Sequence, residues 1–250
     1  NTMNGVDDFL SKSAIQMLRS FCLEATIWFD CKENGGYLGA YMHEGFDSPL
    51  LLQLGRELCV SLPEIFRDHK LAQMWAFKYG SKSLGTRLHA DKATINLNFW
   101  ITPDEANKEP ESGGLRLFNV AAPNDWHFDQ YNYKESGLRR EIARLNGKPF
   151  DIAYKCNRAV IFDSSLIHET IPMNFSDNYE DRRINITMLF GFLVWGYLLP
   201  KFSAYGIDSM KIVKIGLPFS YIIFLLIIIM GSKAGASMFA IYILSSIVLS

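Results

Sequence analysis

The residues best suited to chemistry in this chain are two histidines and an aspartate. His89 and Asp91 stand two apart, and side chains two apart on a β-strand point to the same side. His168 follows much later, just past the apolar run Ala159–Phe162. Two imidazoles and one carboxylate on a β scaffold are the facial ligand set of non-haem Fe(II), which leaves coordination positions open for substrate and oxygen. We therefore predict a metal site made by His89, Asp91 and His168.

The rest of the sequence decides how specific this pattern is, because His-x-Asp alone arises often by chance. A distal histidine and a following strand that begins with an arginine make the combination more specific. The remaining histidines have no partner at a useful spacing and are interpreted as surface or hydrogen-bonded residues: His43, His69 and His127.

The segment from Arg183 to Thr187 alternates polar and apolar residues, so Arg183 and Thr187 share one face of a predicted strand. An arginine inside a β structure is unfavourable unless an anion pairs with it. We find no acidic partner on that face, so we predict that a ligand carboxylate binds Arg183 with two parallel hydrogen bonds, with the Thr187 hydroxyl adding a third. The alternative is a surface arginine paired with Glu180 or Asp181.

Asparagines on another predicted strand suggest a lined cavity. In Thr94–Trp100, Asn96 and Asn98 share a face amid bulky apolar residues. They are candidates for contact with a cosubstrate carboxylate, for orienting water or for satisfying the core. The aromatic-rich loop Ala121–Tyr133 is the candidate lid or substrate-contacting segment, with simple packing of the loop as the alternative.

The elements that must position these residues are N-terminal helices followed by short strands. Capping and periodicity predict a helix from Phe9 to Glu24, capped by Asp7 and Asp8, and another from Pro49 to about Leu62. Strand patterns occur at Ala25–Cys31, Tyr37–His43, Leu71–Tyr79, Thr94–Thr102, Gly114–Asn119, Ala159–Phe162 and Arg183–Phe190. This order predicts an α+β fold with a jelly-roll (double-stranded β-helix) core.

Composition indicates three parts: an N-terminal support region at 1–70, the jelly-roll core at 71–191 and a hydrophobic tail at 192–250. The chain has a net charge of −1 and its tail is basic, so the folded part is mildly acidic. Such a surface offers no basic stripe, and no nucleic-acid partner is predicted. Four scattered cysteines are interpreted as reduced thiols of a cytosolic protein, with a disulfide framework as the minor alternative: Cys22, Cys31, Cys59 and Cys156.

The tail has the composition of a membrane segment. Uncharged stretches, including Tyr221–Met230, lie on both sides of Lys233, and about 20 apolar residues cross a bilayer core. We predict one or two transmembrane helices within 215–250. Three lysines before the first span favour a catalytic domain held in the cytoplasm and tethered to the membrane: Lys201, Lys211 and Lys214. The alternative is that the tail is not native to the catalytic fold.

Six residues together resemble the Fe(II)- and 2-oxoglutarate-dependent dioxygenases of the prolyl-hydroxylase-like or phytanoyl-hydroxylase-like kind: Tyr79, His89, Asp91, His168, Arg183 and Thr187. The wider phrasing, at His89–Pro103 and Asn157–Thr170, is similar to bacterial oxygenase domains associated with tetratricopeptide repeats. The resemblance covers about Phe9 to Gly191 and does not extend to the tail.

The resemblance implies three ligands of Fe(II): His89, Asp91 and His168. It also implies that 2-oxoglutarate chelates the iron through its keto acid end, with its far carboxylate on Arg183 and Thr187 and with Tyr79 as a further contact. O2 would take the remaining position, with ascorbate as a candidate reductant, and the products would be a hydroxylated substrate, succinate and CO2. Asp91 favours hydroxylation, because related halogenases lack this carboxylate.

Two other classes of function stay open. One is a cupin-type metalloprotein, an isomerase or a zinc hydrolase, that uses the same two histidines and aspartate. The other is a membrane-tethered binding module without catalysis. The strand Arg183–Thr187 separates these readings, since a zinc hydrolase needs no clamp for a dicarboxylate. The substrate is not identified by the sequence: a protein side chain, peptidyl proline, a lipid and a small metabolite all fit.

Overall fold

Short strands dominate the part of the chain that the computed structural model describes, residues 4–32 and 36–191. The strands are β1 (Asn4–Val6), β2 (Asp30–Lys32), β3 (Tyr37–Tyr41), β4 (Leu71–Tyr79), β5 (Lys82–Ser83), β6 (Ile95–Trp100), β7 (Leu115–Ala121), β8 (Pro149–Ile152), β9 (Ala159–Asp163), β10 (Leu166–Thr170), β11 (Met173–Asn174) and β12 (Ile184–Phe190). The helices are α1 (Lys12–Glu24), α2 (Pro49–Ser61), α3 (Pro63–Phe66), α4 (Phe128–Asn132) and α5 (Glu135–Arg144).

The strands form one large antiparallel sheet and smaller ones. The large sheet has the order β1-β9-β6-β12-β4-β3-β2, and the small sheets are β10-β7-β8 and β11-β5. A buried cluster contains residues of both the large and the small sheets, including Tyr79, Trp100, Leu117, Phe162 and Leu166. The predicted antiparallel β core is therefore confirmed.

The other face of the large sheet is covered by helices. A second apolar cluster joins α1 and α2 to the central strands: Leu18, Cys22, Leu51, Leu58, Met74, Ala76, Ile186 and Met188. Along β4, Met74 and Ala76 therefore point to the helices, and Trp75, Phe77 and Tyr79 point to the opposite face. This alternation separates a helix-packed outer face from an inner face that is free to carry polar and aromatic groups.

The predicted helices are present with one correction. The cap of α1 is Ser11, whose side chain accepts from the Ala14 N–H, and the predicted caps Asp7 and Asp8 are wrong. Asp8 has a left-handed backbone with φ of 53°. Asp7 instead pairs with two cations, Lys155 and Arg158. The start of α2 is as predicted, with Ser48 as the cap and Pro49 in the first turn.

The predicted strand bounds agree best with the structure in segments that are rich in apolar residues. β4 has the predicted bounds, and β6, β7, β9 and β12 differ from theirs by two residues or fewer at each end. The predicted strand Ala25–Cys31 is wrong over most of its length, because pairing with β3 begins only at Asp30. The predicted strand Tyr37–His43 ends at Tyr41, where a short 3-10 helix begins.

Within residues 4–32 and 36–191 no helix is long and apolar enough to span a bilayer. The predicted membrane segment at 215–250 lies outside these residues, as does the whole tail. The three-part division of the chain and the membrane tether therefore stay predictions.

Gly114, which precedes β7, has no room for a side chain. A Cβ atom at this position would lie 2.0 Å from the Ile152 carbonyl oxygen and 3.0 Å from the Tyr154 nitrogen, and backbone atoms cannot move aside cheaply. We expect Gly114→Ala to lower the free energy of unfolding by about 3 kcal/mol, measured by urea denaturation. Gly137→Ala in α5 is the control, because its Cβ would meet only a Trp126 ring at 3.5 Å. Equal stability of the two variants would contradict this account of Gly114.

Lys78 on β4 predicts a pH dependence of stability. It is 4% exposed, its Nζ lies 3.0 Å from the Tyr179 ring centroid, and burial lowers its pKa to about 8. An unfolded lysine keeps its proton to about pH 10.4, so the free energy of unfolding should rise as pH increases from about 8 to about 10.4. We expect Lys78→Met to raise the free energy of unfolding at pH 7 more than at pH 10. The same effect at both pH values would show that burial of the charge is not responsible.

Candidate metal centre

Backbone pairing brings the two predicted histidine ligands together. The His89 N–H donates to the His168 carbonyl at 2.9 Å, and the His168 N–H donates back at 2.8 Å. The two ring centroids lie 4.2 Å apart. Asp91 is fixed two residues later, where its N–H donates to the Ser164 carbonyl at 3.0 Å. The large separation in sequence is therefore closed by a β-bridge rather than by a flexible loop.

Both histidines are oriented by the same kind of contact. Nδ1 of His89 lies 2.6 Å from the Arg87 carbonyl oxygen, and Nδ1 of His168 lies 2.8 Å from the Leu166 carbonyl oxygen. A carbonyl oxygen only accepts, so Nδ1 carries the proton in each neutral ring. The lone pair is then on Nε2 of both rings. Such a contact is the usual way in which a protein presents a metal-binding histidine.

Asp91 completes the cluster. Its Oδ2 lies 3.6 Å from His168 Nε2 and accepts a hydrogen bond from Asn96 Nδ2 at 2.9 Å. One ligand atom each from His89, Asp91 and His168 lies within 4.8 Å of the others. Facial ligands bound at about 2.1 Å to one ion lie about 3 Å apart, so side-chain rotations would have to draw these atoms together when an ion binds. The donor set fits a divalent metal.

The pocket disfavours isolated charge. Burial lowers the pKa of His168 well below its usual value, and the neighbouring His89 acts in the same direction. Burial also raises the pKa of Asp91, against the opposing effects of His89 and of the hydrogen bond from Asn96. A neutral His168 keeps its lone pair for a metal, and a bound dication would supply the positive charge that favours the Asp91 carboxylate.

Arg183 lies in the interior and is 1% exposed. Its Nε donates to the Gly113 carbonyl at 2.7 Å, and a terminal nitrogen donates to Asn185 Oδ1 at 3.0 Å. Burial lowers the pKa of Arg183, whereas the neighbouring Tyr79 and Tyr154 raise it. No carboxylate of the described residues forms an ion pair with the guanidinium. A buried guanidinium without an anion is unfavourable, so the pocket favours an anionic ligand.

Two further polar groups beside Arg183 have no acceptor at full hydrogen-bond geometry among the described residues. The buried Trp100 indole N–H has no hydrogen-bond partner among the described residues, and its ring centroid lies 5.8 Å from the guanidinium carbon. The buried Tyr79 hydroxyl has no partner at full hydrogen-bond geometry, and its polar neighbours are Thr86, Thr170 and Arg183. Buried donors normally find acceptors, and the two oxygens of one carboxylate would supply them here.

A row of polar side chains runs from the arginine toward the metal cluster. Asn185, which accepts from Arg183, donates to Thr187 Oγ1 at 3.3 Å, and Asn98 donates to the same hydroxyl at 2.9 Å. Asn96 lies two residues before Asn98 and donates to the aspartate of the cluster. The polar face predicted for β6 is confirmed. Asn96 contacts a predicted metal ligand rather than the arginine pocket, and Asn98 contacts Thr187.

The predicted lid segment Ala121–Tyr133 passes beside the cluster. Tyr131 is buried, and its carbonyl accepts from the Ala90 N–H at 3.1 Å. Phe128 and Tyr133 are exposed, and their ring centroids lie 5.6 Å apart. The segment thus packs through one ring and leaves two others at the surface next to the metal-binding segment. Its role as a lid stays a prediction.

The structure brings the predicted site residues into two adjoining groups: the cluster His89, Asp91 and His168, and the pocket Arg183, Thr187, Tyr79 and Asn98. The alternative of a surface ion pair for Arg183 does not hold, because this side chain is buried. Sequence reasoning gave no role to Trp100, although it shares the alternating face of Asn98. The Gly113 carbonyl was missed because a backbone acceptor leaves no mark in the residue type.

Comparison with known proteins shows the fold. No family model and no curated protein matches the chain. HygX from Streptomyces hygroscopicus, solved with nickel and 2-oxoglutarate, has a TM-score of 0.51 at 11% identity, covering 77% of this chain and 83% of its own. Two proteins of nogalamycin biosynthesis are also similar. The non-haem α-ketoglutarate-dependent epimerase SnoN has a TM-score of 0.54 at 10% identity, covering 76% of this chain and 78% of its own. The carbocyclase SnoK has a TM-score of 0.52 at 11% identity, covering 78% of this chain and 85% of its own. The jelly-roll fold predicted for the core is confirmed for the described residues.

We predict that His168→Ala abolishes tight binding of a divalent ion. Loss of a group that only hydrogen-bonds to a metal ligand lowers metal affinity about 10–100-fold, so loss of a ligand itself should exceed about 100-fold. Anaerobic titration calorimetry with Mn(II) and Fe(II) measures this affinity. The control is His43→Ala, whose side chain is 72% exposed. Unchanged metal affinity in His168→Ala would remove this histidine from the ligand set.

Proposed function

We propose that the protein is an Fe(II)- and 2-oxoglutarate-dependent dioxygenase that hydroxylates a C–H bond. In the overall reaction a substrate R–H, 2-oxoglutarate and O2 give R–OH, succinate and CO2, with one oxygen atom of O2 in the alcohol and one in succinate. The observation that carries the proposal is Arg183, buried without an anion at the end of a polar row that begins at the metal cluster. HygX, which has a similar fold, is solved with 2-oxoglutarate bound.

The chain's own residues would divide the binding of metal and cosubstrate between them. Nε2 of His89, Nε2 of His168 and the Asp91 carboxylate hold the ion, and Asn96 fixes the carboxylate through the bond to Oδ2. Arg183 binds the far carboxylate of 2-oxoglutarate. The other donors around that carboxylate are the Trp100 N–H, the Tyr79 hydroxyl and the Thr187 hydroxyl.

Bound iron supplies the redox chemistry that couples decarboxylation of the keto acid to activation of O2. The protein's part is to orient the reactants and exclude water. The Phe162 ring stands edge-on to His168 with centroids 5.1 Å apart, and it is 2% exposed. This packing closes the sheet side of the cluster to solvent, which strengthens the electrostatic interactions inside.

Two features favour hydroxylation by iron over the other readings. The carboxylate of Asp91 is present, so the coordination position that a halide would need is taken. The arginine pocket has no task in a zinc hydrolase, which needs only the three ligands and a water molecule. The buried charge of Arg183 is explained when a dicarboxylate spans the distance between this pocket and the metal.

We expect Arg183→Gln to weaken 2-oxoglutarate binding about 10- to 100-fold, because hydrogen bonds to a charged group contribute about 1.5–3 kcal/mol. Mn(II) affinity should stay within about twofold of wild type. Both affinities are measured anaerobically by titration calorimetry of the full chain.

Arg182→Gln is the matched control. Arg182 is the preceding residue and lies 3.9 Å from the exposed Asp177, outside the pocket. It should bind 2-oxoglutarate as wild type does. If Arg183→Gln also bound 2-oxoglutarate normally while wild type bound the metal, the assignment of the arginine pocket would be wrong.

A further inference from the structure

The inner face of the large sheet continues past the arginine pocket onto β4 and β3. Thr187 of β12 pairs with Asn98 of β6 on one side and with Trp75 of β4 on the other. Two residues further along β12, Leu189 pairs with Asn96 of β6 on one side and with Gln73 of β4 on the other. Two strand spacings separate these partners, about 10 Å. Gln73 therefore lies level with Asn96, about 10 Å to the side, while Trp75 is level with Asn98 and Thr187 of the arginine pocket.

Four rings cover this part of the inner face, and we call them the aromatic platform: Tyr37, Tyr41, Trp75 and Phe77. Phe77 is at the centre, with its ring centroid 4.6 Å from that of Tyr37 and 6.2 Å from those of Tyr41 and Trp75. All four side chains are half-buried. Large rings left partly open beside a pocket with convergent polar groups are typical of ligand-binding surfaces.

The platform is held in place before any ligand arrives. A Cβ atom at Gly39 would lie 3.0 Å from a ring carbon of Tyr41, so the glycine makes room for that ring. The Tyr41 hydroxyl donates to Asp30 Oδ2 at 3.0 Å. Rings fixed in this way lose little conformational entropy when a ligand binds.

The ionic groups around Tyr41 are satisfied by each other. Asp30 pairs with Lys32 at 2.8 Å. An ionic substrate group would have to compete with these partners, so the platform favours an uncharged one. The nearby polar groups are neutral as well. They make no hydrogen bond within the described part of the chain: the Gln73 amide, the Trp75 indole N–H and the Tyr37 hydroxyl.

Tyr133, at the end of the lid segment, is close enough to Tyr37 of the platform to affect the pKa of that phenol. Burial raises the pKa of Tyr37, and Tyr79, Asp30 and Tyr133 add to the rise, so the phenols of Tyr37 and Tyr133 lie within electrostatic reach. Tyr133 is 74% exposed and carries another hydroxyl. A ligand on the platform would therefore meet aromatic surface, with the Tyr133 hydroxyl near Tyr37.

We propose that the aromatic platform binds a sugar ring of a neutral oligosaccharide or glycoside, an inference that rests on the proposed dioxygenase function. A sugar ring stacks its C–H face on aromatic side chains, and its hydroxyls exchange hydrogen bonds with amide, indole and phenol groups. A lipid chain would leave those polar groups unused. Because the platform is level with the arginine pocket and two strand spacings, about 10 Å, to the side of the strand whose Asn96 contacts Asp91, the carbon that is oxidised belongs to another unit of the substrate.

The test uses the full chain loaded with Mn(II) and 2-oxoglutarate, and it measures sugar binding by saturation-transfer NMR and tryptophan fluorescence. The probes are four neutral trisaccharides: cellotriose, maltotriose, chitotriose and mannotriose. We expect at least one to bind. Trp75→Ala should weaken this binding about tenfold, Trp75→Phe should weaken it less, and Phe29→Ala should leave it unchanged. Phe29 is a matched aromatic control because it is 61% exposed and lies outside the platform.

The outcomes separate this inference from the proposed function. If the protein binds Mn(II) and 2-oxoglutarate but none of the sugars, the platform assignment is overturned and the dioxygenase proposal stands. Equal sugar affinity in Trp75→Ala and wild type also overturns the assignment, as does binding of the flat aromatic probe 2-naphthol without binding of any sugar. Failure to bind 2-oxoglutarate overturns the proposed function itself.

Discussion

A guanidinium buried without a counter-ion is the constraint on which the rest of the site depends. Removing a charge from water costs several kcal/mol even after the protein relaxes, and the neutral partners of Arg183 recover only part of this. The contact with Gly113 also constrains the backbone around that residue. The Gly113 carbonyl reaches the guanidinium from a residue with φ of 72°, and Gly114 then packs directly on the Ile152 backbone. On the proposed function, a dicarboxylate ligand would complete the balance of charge.

The large sheet can hold this polar interior because one of its faces is apolar and packs on helices while the other is polar. All residues of β12 and β6 are buried, yet their side chains alternate between an apolar outer face and a polar inner face. The outer face packs against α1 and α2 and supplies the hydrophobic stabilisation. The inner face can then carry groups that a core would exclude, from the arginine to Asn96, which contacts the predicted metal ligand Asp91.

Much of this arrangement could be predicted from the sequence because it follows a period of two. The alternation after Arg183 predicts which side chains share a face, and that face is as expected. His89 and Asp91 do come together, although His89 forms only an isolated bridge and Asp91 lies outside the strands. The long apolar strand β4 was predicted with its bounds for the same reason. The metal cluster needed one further assumption, that a late strand lies beside an early one.

Other features could not be predicted because they depend on partners distant in the chain. The cap of α1 was misassigned since Asp7 pairs with Lys155 and Arg158, a contact that local sequence does not encode. Helix α5 was missed because Leu138 is its only fully buried residue, which leaves no clear apolar stripe. The unpaired Trp100 N–H and the bond from Asn96 to Asp91 follow from strand register and loop geometry, which residue types alone do not determine.

The central claim is tested most directly by an anaerobic crystal structure of the protein with Fe(II) and 2-oxoglutarate. The account predicts one iron bound by Nε2 of His89, Nε2 of His168 and a carboxylate oxygen of Asp91, at about 2.0–2.2 Å. It also predicts the keto acid end of 2-oxoglutarate on that iron and the far carboxylate on Arg183. Iron bound elsewhere, or 2-oxoglutarate with its far carboxylate away from Arg183, would contradict it.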